Sequence, residues 1–353
     1  MPPEIEPAAD SRSDGAPSWR VRLAIAVGVG IVGALLNSIA AALRHEHLPG
    51  GADTGGDFFQ IWYMVRALAA GLDPYVAGCG VEAACADPHQ YYPLTAGLAA
   101  FPLGIFSPTI ASRLFVGISS GLLAYALVRD GWRRMPMLLS RSFFLCALYG
   151  QWPALLVAAS LLPGLEWLYT AKPQLGLALL ASRPTRRALL LCAAFVAISL
   201  VVRPTWPLGW LRAASRSPFV GVPLLWAWFA PVLLAAVLRW RTPEGRLLLA
   251  SSILPQTPYA YDQLVLWLVP RTLRESWILT GLSWAMFLAW TIFAIDPVTH
   301  RILLQTNAPY LIAFLYVPCL IMVLRRPNEG PIPAWLDRVE RALRLRRVER
   351  ASE

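Results

Sequence analysis

Charge is what this chain has least of. Charged residues make up 15% of its 353 residues and hydrophobic ones 57%, with a mean hydropathy of +0.51, whereas soluble domains carry roughly 25% charge. That shortfall excludes an ordinary soluble domain and points to an integral membrane protein. Lysine is all but missing, since of the 31 basic residues Lys172 alone is a lysine. No Walker loop, dinucleotide fingerprint, zinc motif or G-x-S-x-G elbow occurs, so none of the chemistries they carry competes for this chain. The net charge of +10 comes without a basic-aromatic motif that would read DNA or RNA. No nucleic-acid partner is expected, and the charge reports topology instead.

Cysteine is also scarce. Of five, Cys146, Cys192 and Cys319 fall inside apolar runs, where they read as small core residues. Cys79 and Cys85 sit six apart in a polar loop, and a local disulfide is expected there if the loop faces an oxidising compartment. Metal ligation with His45, His47 and His89 is the alternative, although no standard zinc spacing is present. No cofactor is expected. A divalent metal stays open, because the loop acids lack a diagnostic spacing.

What the chain does have is apolar runs along almost its whole length. A helix needs about 20 apolar residues to cross the hydrocarbon, which predicts about ten spans in an all-α polytopic membrane protein. The first run, residues 21–43, is longer than a signal-peptide core, lacks a small-residue cleavage site and is expected to stay as a span. Residues 1–19 before it read as a disordered cytoplasmic tail, and residues 20–325 as the membrane domain.

Charge asymmetry sets the orientation. Arg12, Arg20 and Arg22 precede or open the first span, whereas the loop 44–91 carries Glu46, Asp53, Asp57, Asp73, Glu82 and Asp87 against Arg44 and Arg66. The positive-inside rule then places the N-terminus in the cytoplasm and this first loop outside. Arg129, Arg133, Arg134 and Arg141 mark a cytoplasmic turn, as do Arg183, Arg186 and Arg187, and Arg239, Arg241 and Arg246. Residues 326–353 form a basic cytoplasmic tail. Within it, residues 333–350 set Trp335, Leu336, Val339, Ala342, Leu343 and Leu345 near one helical face, which predicts a helix on anionic membrane lipids.

Two segments resist this scheme. Residues 92–108 are apolar but proline-broken and are read as dipping into the membrane. The loop 203–218 carries Arg203, Arg212 and Arg216 without an acid, although it should face out. Either the span count slips there, or those arginines meet an anion.

Polar residues in greasy surroundings single out the candidate site. Asp57, in Gly55-Gly56-Asp57-Phe58-Phe59-Gln60, opens an amphipathic helix predicted over residues 58–70 along the outer face. It has two readings, a catalytic base or a helix cap, since Gln60 three residues on completes a capping box. Lys172, in Tyr169-Thr170-Ala171-Lys172-Pro173-Gln174, sits near the outer end of a predicted span. It either snorkels to the interface or contacts a phosphate as a point charge. Gln256-Thr257-Pro258-Tyr259-Ala260-Tyr261-Asp262-Gln263 interrupts an apolar run and reads as a cavity wall, because irregular backbone at membrane depth must border protein or water. Gly150-Gln151-Trp152-Pro153 is a weaker break of the same kind.

These residues resemble a known pattern. Gly-Asp-Phe, then Leu68-Ala69-Ala70-Gly71-Leu72-Asp73-Pro74-Tyr75 and Tyr91-Tyr92-Pro93-Leu94, resembles the first outer loop of the bacterial polyprenyl-phosphate-mannose-dependent α-1,2-mannosyltransferases, glycosyltransferase family 87. Gly150-Gln151, Lys172-Pro173-Gln174 and Tyr259-Ala260-Tyr261-Asp262 follow in the family's order, so the likeness runs over roughly residues 20–325. The resemblance implies a GT-C-like helical bundle with an acid in the first outer loop that acts as base in an inverting transfer. On that footing Asp57 is the catalytic candidate, and Lys172, Gln174, Tyr259, Tyr261 and Asp262 are substrate-binding candidates; Arg66 and Arg203 join them as cations of loops expected to face out, not through the resemblance. The implied donor is a polyprenyl-phosphate sugar, with mannose expected, and the acceptor an extracytoplasmic lipid or glycan. The chain departs from the family in having Tyr92-Pro93-Leu94 where two prolines often follow the tyrosine. The rival classes are a transporter or lipid flippase, for which no convincing internal repeat is seen, and a sugar-lipid ligase.

Overall fold

Proline decides where many of these helices start and stop. The computed structural model describes residues 17–47, 57–77, 90–217, 220–293 and 304–330, together with 337, 338 and 341. Within them the chain is helical, with one isolated bridge between Gly221 and Gln256 and no strand. The helices are α1 (Trp19–His47), α2 (Phe58–Ala69), α3 (Pro74–Ala77), α4 (Leu94–Ala100), α5 (Pro108–Arg129), α6 (Arg141–Tyr149) and α7 (Pro153–Leu161). There follow α8 (Pro173–Ser182), α9 (Arg186–Val202), α10 (Trp206–Ala214), α11 (Pro243–Ile253), α12 (Leu273–Phe293) and α13 (Ala308–Leu324). A π turn at Ile312–Tyr316 lies within α13.

Among the described residues, three helices are long and apolar enough to cross a membrane: α1 over Trp19–Ala42, α5 and α12. Counting each sharply bent pair as one span adds α6 with α7, bent by 115°, and α9 with α10, bent by 102°. Where about ten spans were expected, the described residues hold three to five candidates by length and composition. The physical reason is proline: of the 30 in the chain, five sit at the first turns of α5, α7, α8, α10 and α11, where the missing N–H costs nothing, and they divide apolar runs into separate helices. Residues 92–108 follow this rule. Seven residues of α4 pass into five of 3-10 helix at Phe101–Ile105, too short to cross about 30 Å of hydrocarbon.

α1 lies against α5 on a seam of small residues. A Cβ placed on Gly30 would come within 2.8 Å of the Gly117 carbonyl oxygen, and one on Gly121 within 2.9 Å of the Ala26 oxygen. Small residues let two backbones approach this closely where lipid offers no hydrophobic drive of its own. A polar clamp fixes the register: Asn37 of α1 donates to the Ala147 carbonyl of α6 at 3.1 Å and accepts from Ser112 of α5 at 3.0 Å.

α2 differs from its predicted place on a surface. Phe58, Ile61, Trp62, Tyr63, Met64, Val65 and Ala67 are all buried, so the helix is inserted among α4, α5 and their connection instead of lying along an outer face. Arginines form ion pairs around the α11–α12 connection, with Arg271 on Glu244 at 2.9 Å and Arg326 on Glu275 at 2.9 Å. The cysteine pair Cys79 and Cys85, most of the N-terminal tail and most of the predicted tail helix lie outside the described residues.

Candidate active site

Two bends and one loop converge on a cavity of about 420 Å³. The first bend joins α6 to α7. Ser140 caps α6 by accepting from the Phe143 N–H at 3.1 Å, and Gly150, at φ 64°, ends it in the left-handed region that favours glycine. Pro153 then starts α7. This short corner projects Gln151 inward, where the side chain is buried.

Asp57 is held at the same corner. Its backbone N–H donates to the Tyr149 carbonyl at 2.9 Å, and its carboxylate accepts from Gln151 Nε2. The capping-box reading fails, since Asp57 makes no side-chain bond to the amides of α2 and has helical dihedrals itself. Asp57 lines the cavity instead.

Gln151 links this acid to a buried ion pair. Its Oε1 accepts from Tyr92 Oη at 3.1 Å and from Lys172 Nζ at 3.0 Å. Lys172, at the head of α8, pairs with Asp262 Oδ1 at 2.5 Å and lies 5.0 Å from the centre of the Tyr261 ring. Asp262 is fully buried, and its other oxygen accepts from the backbone and hydroxyl of Thr257 at 3.2 and 2.7 Å. Lys172 is thus 5% exposed and paired, not snorkelling. Burial, with the Asp57 and Asp262 charges adding to it, holds the Tyr92 phenol well above its ordinary pKa, so it stays a donor to Gln151.

The loop after α11 forms the second wall, as its proline-broken polar sequence predicts. Thr257, Tyr259, Ala260 and Tyr261 line the cavity, with Tyr259 and Tyr261 stacked at 5.8 Å between ring centres. Two backbone bonds between Gly221 and Gln256, at 2.9 and 2.8 Å, tie this loop down. Gln174, the second residue of α8, also lines the cavity. On the third side the α9–α10 bend brings Trp210 to the cavity, where its Nε1 donates to the Tyr91 carbonyl at 2.9 Å.

Of the expected site residues, Asp57, Lys172, Gln174, Tyr259 and Tyr261 line one cavity, and Asp262 stands directly behind Lys172. Arg66 and Arg203 do not line it. Arg66 is exposed on α2 with its guanidinium 5.7 Å from the Trp62 ring centre. Arg203 pairs with Asp73 at 2.7 Å, and so braces the outer wall, where Tyr75 donates to the Tyr92 carbonyl at 2.9 Å. Each is an arginine near the right element pointing elsewhere, a matter of side-chain direction that charge in a loop does not encode.

The sequence reading also missed residues. Gln60, Tyr149, Trp290 and Asn307 line the cavity, and so does Arg141, which the charge pattern had assigned to a cytoplasmic turn. Gln60 Oε1 and Asn307 Oδ1 are buried acceptors without a hydrogen-bond partner among the described residues. Such groups are costly unless something in the cavity satisfies them. The cavity is lined by an acid, three amide residues and several tyrosines, a set suited to a hydroxyl-rich ligand.

No protein-family model matches the chain, and neither a curated protein nor a solved structure matches it. The resemblance to family 87 rests on the motifs quoted above.

Proposed function

We propose that this protein is a membrane glycosyltransferase of GT-C type, moving a sugar, with mannose the first candidate, from a polyprenyl-phosphate donor to an extracytoplasmic lipid or glycan acceptor. The supporting observation is that Asp57, whose carboxylate is held by Gln151 and caps no amide of its own helix, lines a cavity shared with the amide residues Gln60, Gln174 and Asn307 and with tyrosines. Amides and tyrosines are residues that bind sugar hydroxyls.

In this reading the acceptor hydroxyl oxygen attacks the anomeric carbon, and its proton passes to Asp57. The bond from that carbon to the phosphate oxygen breaks, with its electron pair leaving on the phosphate. One displacement inverts the configuration. A positioned base contributes about 10²- to 10⁴-fold to such a step. Lys172 and Tyr92 act through Gln151, whose amide orientation they fix, so that its NH₂ faces Asp57.

The bacterial inner membrane, with both termini cytoplasmic and the cavity outward, belongs to this proposal. The test is transfer by the purified protein from polyprenyl-phosphate sugars to candidate acceptors, with and without chelator, reading product stereochemistry. An inverted monosaccharide product is expected. Lipid movement without transfer would indicate a flippase, and transfer of whole glycans a ligase.

A further inference from the structure

The cavity has two cationic residues in its lining, and among the described residues only one of them has an ion-pair partner. Lys172 is paired with Asp262. Arg141, at the first position of α6, is 7% exposed, lines the cavity, and has a buried Nη1 with no hydrogen-bond partner among the described residues. Its backbone N–H donates to Ser283 Oγ at 3.1 Å. Ser283 is the eleventh of the 21 residues of α12, so Arg141 stands level with the middle of a helix long enough to span a membrane. A cation at that depth costs a few kcal/mol unless something compensates it. Its surroundings are aromatic, with the guanidinium 4.1 Å from the Phe287 ring centre and 5.8 Å from that of Trp290. Rings offset part of the cost but accept no in-plane hydrogen bond from the guanidinium fork.

We infer that Arg141 is the anchor for a phosphate group in this cavity; resting on the reading above, that group is the phosphoryl of the lipid-linked donor. A guanidinium matches phosphate with two parallel charge-assisted bonds, which an ammonium cannot do. Placement agrees. Tyr149, whose carbonyl holds Asp57, and Arg141 are the last and first of the nine residues of α6, which sets their backbones about 12 Å apart along the axis. A phosphate at Arg141 with its sugar directed toward Tyr149 puts the anomeric carbon between leaving group and base, the order an in-line displacement needs. As the bond to carbon breaks, negative charge grows on the phosphate, and Arg141 holds it more tightly than in the ground state.

The experiment is calorimetric titration of the full chain in detergent with farnesyl monophosphate, farnesol and inorganic phosphate. The wild type is expected to prefer farnesyl monophosphate to farnesol, and Arg141→Met to lose about 10- to 100-fold of affinity for the phosphate alone, the worth of charge-assisted hydrogen bonds. Farnesol binding should be unchanged in Arg141→Met, which also reports that the cavity is folded. If that variant does not fold, Arg141→Lys against Arg141→Gln decides, and equal phosphate affinities would overturn the inference. So would a wild type with no preference for phosphate. Arg141-dependent binding of inorganic phosphate without a preference for the lipid form upholds the anion site and counts against a lipid donor. Sugar transfer that persists with undiminished donor affinity in Arg141→Met upholds the enzyme and overturns the site.

Discussion

The side-chain amide of Gln151 donates to the Asp57 carboxylate, and its orientation is fixed because Tyr92 and Lys172 both donate to its oxygen. With both donors on Oε1, only the NH₂ end is left to face Asp57. The acid is thereby aimed into the cavity by a residue outside the motif that first drew notice to it. Gln151→Leu keeps the volume and removes the amide. It should leave donor binding nearly intact and lower the rate constant for transfer by about 10²-fold, the scale of loss when a catalytic group drifts by about 1 Å. Steady-state kinetics separate the outcomes: an effect confined to KM would show Gln151 to be a substrate contact.

Lys172 and Asp262 form a buried ion pair, and breaking such a pair from one side leaves an uncompensated charge. Lys172→Met or Asp262→Asn should each cost about 3–5 kcal/mol of stability, while joint replacement by apolar residues should recover much of the loss. Thermal unfolding in detergent of the two single variants and the double variant measures this. Additive losses in the double variant would mean the two residues do not depend on each other.

The α1–α5 seam makes a prediction that is independent of catalysis. Gly121→Leu forces a side chain against the Ala26 carbonyl, 2.9 Å from where its Cβ would lie, and should destabilise the protein by about 1–3 kcal/mol. Gly28 is on the same α1 helix, but a Cβ there meets nothing within 4 Å. Gly28→Ala should be neutral or stabilising by up to about 1 kcal/mol. Equal unfolding temperatures for the two variants would show that the seam is not closely packed.

Much of the cavity was legible in the sequence because its residues are polar where the chain is otherwise apolar. Asp57, Lys172 and the Tyr259 to Asp262 loop stand out for that reason, and prolines flanking the loop announce that its backbone is not helical. Gln151 was visible as a weak break and as part of the Gly150-Gln151 motif, but its link to Asp57 was not, since an amide between glycine and tryptophan carries no sign of which way its corner turns. Arg141 was misplaced because counting positive charge assumes that arginines lie at membrane surfaces, and α6 begins level with the middle of α12. Arg66 and Arg203 show the reverse error, being cations in suitable loops that point to a ring and to Asp73. Hydropathy runs indicate the helical class, but a run does not say whether proline divides it, so the described residues hold three to five candidate spans where about ten were expected.

The measurement that bears most directly on the proposed function is transfer by Asp57→Asn from polyprenyl-phosphate mannose. Asparagine is nearly isosteric and caps no amide that Asp57 caps, so the variant should fold and still bind donor. The account predicts that its transfer rate falls by at least about 10²-fold, the contribution of a positioned general base. Near-normal transfer by a folded Asp57→Asn protein would contradict it.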